Sequence, residues 1–283
     1  MKDIKAKVIF NEEIAPRTTR VRGVPGYFRM GLEAPSLARL AKPGQFVQVR
    51  CGETTDPLLR RPLGIHRVKG EGSRVKGIEI LYEVVGRGTG FLSRKKEGEF
   101  LDVLGPLGNG FNLPSFTLHP SPFTLLIAGG IGVAPLVFLA EVLAERKIKS
   151  VVLLGAKTKK KILCEKDFKR AGAEVHITTD DGTCGCKGLV PKLFEDILRT
   201  TNHESLTTIY ACGPEPMLKC IAGISERYSV HCQALLEEKM ACGFGACLGC
   251  TVKVRQAGRE QGFINKLTCK DGPVFDTREL IWN

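Results

Sequence analysis

The sequence predicts an α+β multi-domain fold: an N-terminal antiparallel β-barrel over residues 1–113, a central parallel α/β domain over 121–230, and a small C-terminal subdomain over 231–283. Three observations carry this reading. Up to about residue 110 the chain breaks into short β-rich runs between Gly, Pro and charged residues. From Phe123 onward, continuous apolar runs alternate with helical periodicity. Near the C-terminus, cysteines crowd into one short glycine-rich loop.

In the first region, Lys5–Phe10 and Gly44–Arg50 are β-rich and partly alternating, and Gly77–Val85 is the clearest strand. Strands this short, with almost no helical pattern between them, favour a small antiparallel barrel. Leu59-Arg60-Arg61-Pro62-Leu63-Gly64-Ile65 reads as lying between two strands. Alone, its paired Arg suit a solvated strand edge; the functional reading is an Arg contacting a flavin pyrophosphate. Gly86-Arg87-Gly88-Thr89-Gly90 closes the next strand in a loop suited to cradling phosphate, although a plain β-turn has the same composition.

Three prolines between Pro114 and Pro122 mark a linker. Phe123–Ala128 then reads as a buried parallel strand. It meets Gly129-Gly130-Ile131-Gly132-Val133-Ala134-Pro135 and a helical stretch from Leu136 to Arg146. Further strands are expected at Ser150–Gly155, Ala173–Ile177 and Thr207–Ala211. Helices are expected near Glu165–Arg170, Val190–Leu198 and Met217–Ser225. Such alternation builds a doubly wound sheet, whose strand C-termini bind ligands. The glycines after Ala128 let a pyrophosphate approach a helix N-terminus, or serve only as a tight turn. They do not spell G-x-G-x-x-G, which disfavours a standard Rossmann dehydrogenase. Ala211-Cys212-Gly213-Pro214-Glu215-Pro216-Met217 also joins a strand to a helix.

Cys242, Cys247 and Cys250, with Cys269 following after 18 intervening residues, have the spacing of a plant-type [2Fe–2S] site. Gly243, Gly245 and Gly249 suit a loop whose amides turn inward toward sulfur. Four thiolates also suit zinc, but zinc loops favour paired C-x2-C knuckles, and one half here lacks a second close Cys.

Composition narrows the remaining classes. The 283 residues carry a net charge of +12, but Lys and Arg are scattered, and 4 Tyr and 1 Trp leave few stacking platforms, so no nucleic-acid partner is expected. The basic surface suits anionic cofactors or an acidic partner. Met1–Lys5 lacks the apolar core of a signal peptide, and no apolar run reaches the ~18 residues of a membrane span. The 11 Cys favour a reduced cytoplasm. The histidines at 66, 119, 176, 203 and 231 show no metal or triad spacing, and Cys51, Cys164, Cys220 and Cys232 read as packing residues. Lys157–Lys161 reads as solvated, or as a contact to a cofactor ribose or 2′-phosphate.

Taken in order, Arg61–Gly64, Gly86–Gly90, Gly129–Pro135, Cys212–Met217 and the cysteine loop resemble the ferredoxin–NADP⁺ reductase superfamily. Within it, the chain is similar to the family of electron-transfer subunits of class 1B dihydroorotate dehydrogenases, over nearly its whole length. Thr179–Thr183 and Cys269–Phe275 add to the likeness. The resemblance implies an NAD-dependent flavin and iron–sulfur oxidoreductase subunit of pyrimidine biosynthesis. FAD would contact Arg61, Pro62, Leu63, Gly64, Leu81, Tyr82, Glu83, Gly88 and Thr89. The nicotinamide nucleotide would lie along Gly129, Gly130, Gly132, Val133, Ala134, Cys212, Gly213, Pro214 and Met217. Cys242, Cys247, Cys250 and Cys269 would hold the [2Fe–2S] cluster. The implied partner is an FMN-containing dihydroorotate dehydrogenase catalytic subunit in a heterotetramer of two plus two. No side-chain acid or base is required, so no catalytic residue is assigned.

Two positions depart from the family pattern. Gly64 stands where the family usually has Ser, whose hydroxyl can bond the flavin N5. Gly182-Thr183-Cys184-Gly185-Cys186 replaces a run that carries an aromatic. The small subunit of an electron-bifurcating NADH-dependent ferredoxin–NADP⁺ oxidoreductase looks similar, but uses an Asp as its first cluster ligand; Cys242 favours the dihydroorotate dehydrogenase family. A stand-alone reductase and a zinc-stabilised binding module are the remaining alternatives.

Overall fold

In the computed structural model, the structure describes residues 1–15, 26–52, 54–69, 76–113, 123–200, 206–256 and 262–282. The expected linker Pro114–Pro122, His119 and His203 lie outside them. The first region holds β1 (Lys2–Ala15), β2 (Tyr27–Glu33), α1 (Pro35–Ala38), β3 (Phe46–Val49), β4 (Arg61–Lys69), β5 (Gly77–Glu83), α2 (Arg87–Leu92) and β6 (Phe100–Leu107). The six strands close an antiparallel barrel in the order β1-β2-β5-β4-β3-β6. Alternation fills it: Ile78, Ile80 and Tyr82 of β5 and Val47 and Val49 of β3 share its core.

The second region holds β7 (Phe123–Gly129), α3 (Val133–Glu145), β8 (Lys149–Ala156), α4 (Glu165–Arg170), β9 (Glu174–Thr179), β10 (Cys186–Lys187), α5 (Val190–Thr200), β11 (Leu206–Cys212) and α6 (Glu215–Arg227). The third adds β12 (Cys232–Leu235), β13 (Thr251–Arg255), β14 (Phe263–Leu267) and β15 (Val274–Asp276). Seven strands form one sheet, ordered β10-β9-β8-β7-β11-β12-β15. All its pairings are parallel except β12 with β15. The sequence suggests little regular structure after residue 230, yet β12 and β15 extend the sheet and β13 and β14 make a hairpin. Strands of three to five residues present too few alternations to be read from composition.

The strand order reverses at β7, which is flanked by β8 and β11, so the loops leaving β7 and β11 diverge around one crevice. Helix α3 is buried along most of its length because it sits between sheet and barrel. There, Arg67 of β4 reaches Glu141 of α3 at 2.6 Å and Asp167 of α4 at 3.1 Å. Next to it, a ring nitrogen of His66 bonds the Ala134 carbonyl at 2.8 Å. A second seam runs from β6 to the last cysteine: Asn109 N–H donates to the Gly272 carbonyl at 2.6 Å. Its side-chain amide donates to the Lys270 and Asp271 carbonyls. Among the described residues no helix is long and apolar enough to cross a membrane.

Candidate cofactor sites

Two cavities meet at the junction of barrel and sheet. The first, about 390 Å³, is walled by Arg61, Pro62, Leu63 and Gly64 of β4, Leu81, Tyr82 and Glu83 of β5, Thr89 of α2, and Ala134 of α3. The sequence reading of Arg61–Gly64 as a connection between strands is corrected here: these residues are the first half of β4, paired with β3. Likewise Gly86–Gly90 opens α2 rather than forming an open loop. The two motifs touch. A Cβ on Gly88 would stand 2.6 Å from Arg61 Nε, so only glycine lets the guanidinium lie against that turn. Thr89 Oγ1 accepts the Val85 and Gly86 amides at 3.0 and 3.3 Å, pinning the turn. The Tyr82 ring points away from the cavity into the barrel, stacked on Phe28, and its hydroxyl donates to Asn11 Oδ1 at 3.1 Å. A side chain at Gly64 would meet no atom closer than Pro135 Cβ at 3.9 Å.

The second cavity, about 730 Å³, lies at the diverging loops. Its walls include Gly129, Gly130 and Gly132 from the end of β7, and Gly213, Pro214 and Met217 from the turn into α6. A Cβ on Gly132 would sit 2.3 Å from the Cys212 carbonyl oxygen, so glycine is demanded by close approach of the two loops. Cys212 and Val133 are buried behind the wall. Burial pushes the Cys212 thiol well above its ordinary range. It is therefore a packing group at pH 7.

Several further wall residues lie outside the two glycine turns. Lys157, Lys161 and Asp180 line the second cavity, which brings the ends of the basic run and the Thr179–Thr183 motif to its edge. Cys220, expected to pack, is exposed on α6 and lines the same cavity. Glu83, Ile131 and Glu237 border both cavities. Glu237 is reached by solvent from the cavities, yet enclosed enough that burial raises its carboxyl above the usual carboxylate range.

The four cysteines form the third site. Gly243 and Gly245 take φ of 81° and 92°, and even Leu248 takes 58°, which turns the loop's amides inward. Phe244 and Cys247 N–H groups donate to Cys242 Sγ at 3.5 and 3.4 Å, and Cys269 N–H donates to Cys250 Sγ at 3.4 Å. Burial, the largest single influence on Cys242, works to raise its thiol. The amides of Phe244, Cys247 and Ala246 together with the Cys247 thiol outweigh it, and the pKa falls to about 6. Cys269 goes the other way, pushed up to about 12 by burial and by Cys250.

Among the described residues no three ligand-type side chains converge on one point as a lone metal ion needs. Backbone hydrogen bonds link the cysteines in two pairs, Cys247 N–H to Cys242 Sγ and Cys269 N–H to Cys250 Sγ. Two such pairs would suit two irons sharing four thiolates, one pair to each iron. Unmet polar groups at the same place agree. Both amide atoms of Gln48 and the hydroxyl of Thr268 are buried with no hydrogen-bond partner among the described residues. Leaving such groups unsatisfied costs about 1–3 kcal/mol each, and a bound group that brings acceptors would satisfy the Gln48 Nε2 and Thr268 Oγ1 donors. Phe46 joins the sites: it lines the first cavity and packs with Cys250 and Cys269.

Comparison with known proteins fits this geometry. Residues 126–223 match the model of the oxidoreductase NAD-binding domain, and residues 237–281 match that of the iron–sulfur cluster binding domain of dihydroorotate dehydrogenase B. The dihydroorotate dehydrogenase B (NAD⁺) electron transfer subunit of Desulforamulus reducens is 45% identical, over 98% of this chain and 97% of its own. The chain belongs to the family of dihydroorotate dehydrogenase B electron transfer subunits. The corresponding subunit of Caldanaerobacter subterraneus is 38% identical over 99% of this chain and 98% of its own. As a member, the chain is an oxidoreductase subunit whose fold accommodates FAD, NAD and an iron–sulfur cluster. Among solved structures, the NADH-dependent reduced ferredoxin–NADP oxidoreductase aligns with a TM-score of 0.80 and 30% identity, covering 98% of this chain and 90% of that one. The ferredoxin reductase of carbazole 1,9a-dioxygenase, at 18% identity and a TM-score of 0.62, covers 81% of this chain and 66% of its own; it shares the fold alone.

Proposed function

We propose that this chain carries electrons between NAD(H) and the FMN of a dihydroorotate dehydrogenase catalytic subunit, using its own FAD and [2Fe–2S] cluster. The observation that carries the reading is contiguity. The two cavities share Glu83, Ile131 and Glu237, and Phe46 spans from the first cavity to the buried cysteine pair. When bound, FAD would supply the exchange between two-electron hydride chemistry and the one-electron chemistry of the cluster.

The chain's residues divide the binding work. Arg61, lying on Gly88, would hold the flavin pyrophosphate, with Pro62, Leu63, Gly64, Leu81, Glu83 and Thr89 around the rest and Tyr82 supporting from the barrel side. Gly129, Gly130, Gly132, Gly213, Pro214 and Met217 would line the nicotinamide crevice, with Val133, Ala134 and Cys212 behind or beside them. Cys242, Cys247, Cys250 and Cys269 would ligate the cluster. Residues 1–113, 121–230 and 231–283 would correspond to the FAD, NAD and cluster segments, with β12 and β15 of the last segment completing the sheet of the second. The 11 Cys, four of them in the cluster motif, suit a reduced cytoplasm.

The relatives named as electron transfer subunits support a catalytic partner; the reading adds a complex of two plus two chains acting in pyrimidine biosynthesis. Co-expression with a dihydroorotate dehydrogenase catalytic chain tests this. The complex should reduce NAD⁺ with dihydroorotate, and the catalytic chain alone should not. A complex that forms but oxidises dihydroorotate without NAD⁺ reduction would overturn the reading. The second reading, the small subunit of a bifurcating oxidoreductase, draws on the 0.80 structural match and on Lys157 and Lys161 at the crevice; it requires that a different partner co-purify with the chain and that NADPH reduce the flavin in preference to NADH.

A further inference from the structure

β3 is buried on both faces. Val47 and Val49 fill the barrel, whereas Phe46 and Gln48 point outward, where a barrel strand ordinarily meets water. Phe46 is covered by the buried cysteine pair. Gln48 is 0% exposed, because the cysteine loop lies over it. A Cβ on Gly243 would stand 2.5 Å from Gln48 Cγ and 2.6 Å from its Nε2, and Gly243 follows Cys242 directly. Within β3 and β4, Gln48 is also paired with Pro62 of the flavin cavity wall. Neither Nε2 nor Oε1 has a hydrogen-bond partner among the described residues.

A fully buried amide placed against a metal-binding loop keeps two N–H donors that nothing in the polypeptide accepts. Thiolate and sulfide sulfurs are the acceptors that a bound cluster brings to that loop. Donors to those sulfurs stabilise the reduced cluster, which carries one more negative charge, and so raise its reduction potential. We propose that Gln48 is a positioning residue for the cluster: its amide donates to a cluster sulfur, seats the Cys242 loop on the barrel, and holds the potential within range of the flavin in the adjoining cavity that Phe46 and Pro62 line. The inference rests on the four cysteines holding the [2Fe–2S] cluster, and adds a role for a barrel residue outside the cysteine motif.

The test uses the whole chain purified anaerobically with its cofactors. Redox titration monitored by electron paramagnetic resonance gives the cluster potential in wild type and in Gln48→Met, which keeps length and removes both donors. The variant's cluster should become at least tenfold harder to reduce relative to a fixed couple, a fall of about 59 mV for one electron, with the flavin potential unmoved. A loaded cluster with an unchanged potential overturns the inference while leaving the cluster assignment intact. A wild-type chain with no such cluster signal overturns both. The second measurement needs no variant: in wild-type protein labelled with ¹⁵N in glutamine side chains, the reduced cluster should show hyperfine coupling to a side-chain amide nitrogen. Absence of that coupling overturns the inference as well.

Discussion

Arg61 of β4 rests on Gly88 of α2, so close that a methyl group on the glycine would stand 2.6 Å from the guanidinium Nε. Motifs 27 positions apart in the chain thereby become one surface of the first cavity. Replacing Gly88 by Ala should push Arg61 off its seat and lower flavin retention about tenfold, with Arg61→Ala at least as severe. A charge-assisted hydrogen bond contributes about 1.5–3 kcal/mol, and tenfold corresponds to about 1.4 kcal/mol. Flavin content after gel filtration measures it; full retention in both variants would refute the role given to Arg61.

At the crevice the expected failure is different. Gly132→Ala sets a Cβ against the Cys212 carbonyl and must part the loops leaving β7 and β11. NADH binding should weaken by about tenfold or more, while flavin and iron contents stay at wild-type levels. Titration of NADH against the flavin absorbance separates the two.

Gly64 offers the reverse case. A Cβ added there would have its nearest neighbour 3.9 Å away, so Gly64→Ser should fold without loss and keep its flavin. The added hydroxyl would lie at the wall of the first cavity, proposed to hold FAD, so the flavin potential should shift while the melting temperature moves by no more than a few degrees, the usual scale for a change under 1 kcal/mol.

His66 makes a pH prediction. Burial is the main cause that lowers its pKa from 6.5 to about 4, with Arg67 and Arg29 in the same direction and the Ala134 bond and Asp167 opposing. The folded chain therefore keeps His66 neutral where the unfolded chain protonates it. Stability is fully present above pH 6.5 and is lost as pH falls from there toward 4, by on the order of 3 kcal/mol. Thermal melts between pH 7 and 4.5 should show this slope, and His66→Gln should flatten it.

Cys247→Ser should separate the carriers. Iron content should fall toward zero, flavin content should hold, and NADH should still bleach the flavin. Equal loss of flavin reduction and cluster would contradict the order in which the sites lie.

Much of this organisation was legible in residue order. The cluster cysteines, the strand–glycine–helix unit at β7 and the C-G-P turn after β11 are local patterns, in which backbone need and residue type coincide. Legibility failed where meaning depends on what covers a residue. Gln48 in Phe46–Val49 looks like a solvent-facing position of a barrel strand, and only the cysteine loop packed over it makes it buried. Glu237 sits two residues after β12, a strand too short to announce itself, and becomes a wall of both cavities only through the fold. The one usable signal was a polar side chain interrupting an otherwise buried run, which asks for a partner.

The most direct test of the account is a visible absorption spectrum of the anaerobically purified chain, with flavin, iron and sulfide quantified. The account predicts one flavin and about two irons with matching sulfide per chain, both bleached by NADH. A colourless protein containing zinc would contradict it and leave only the fold.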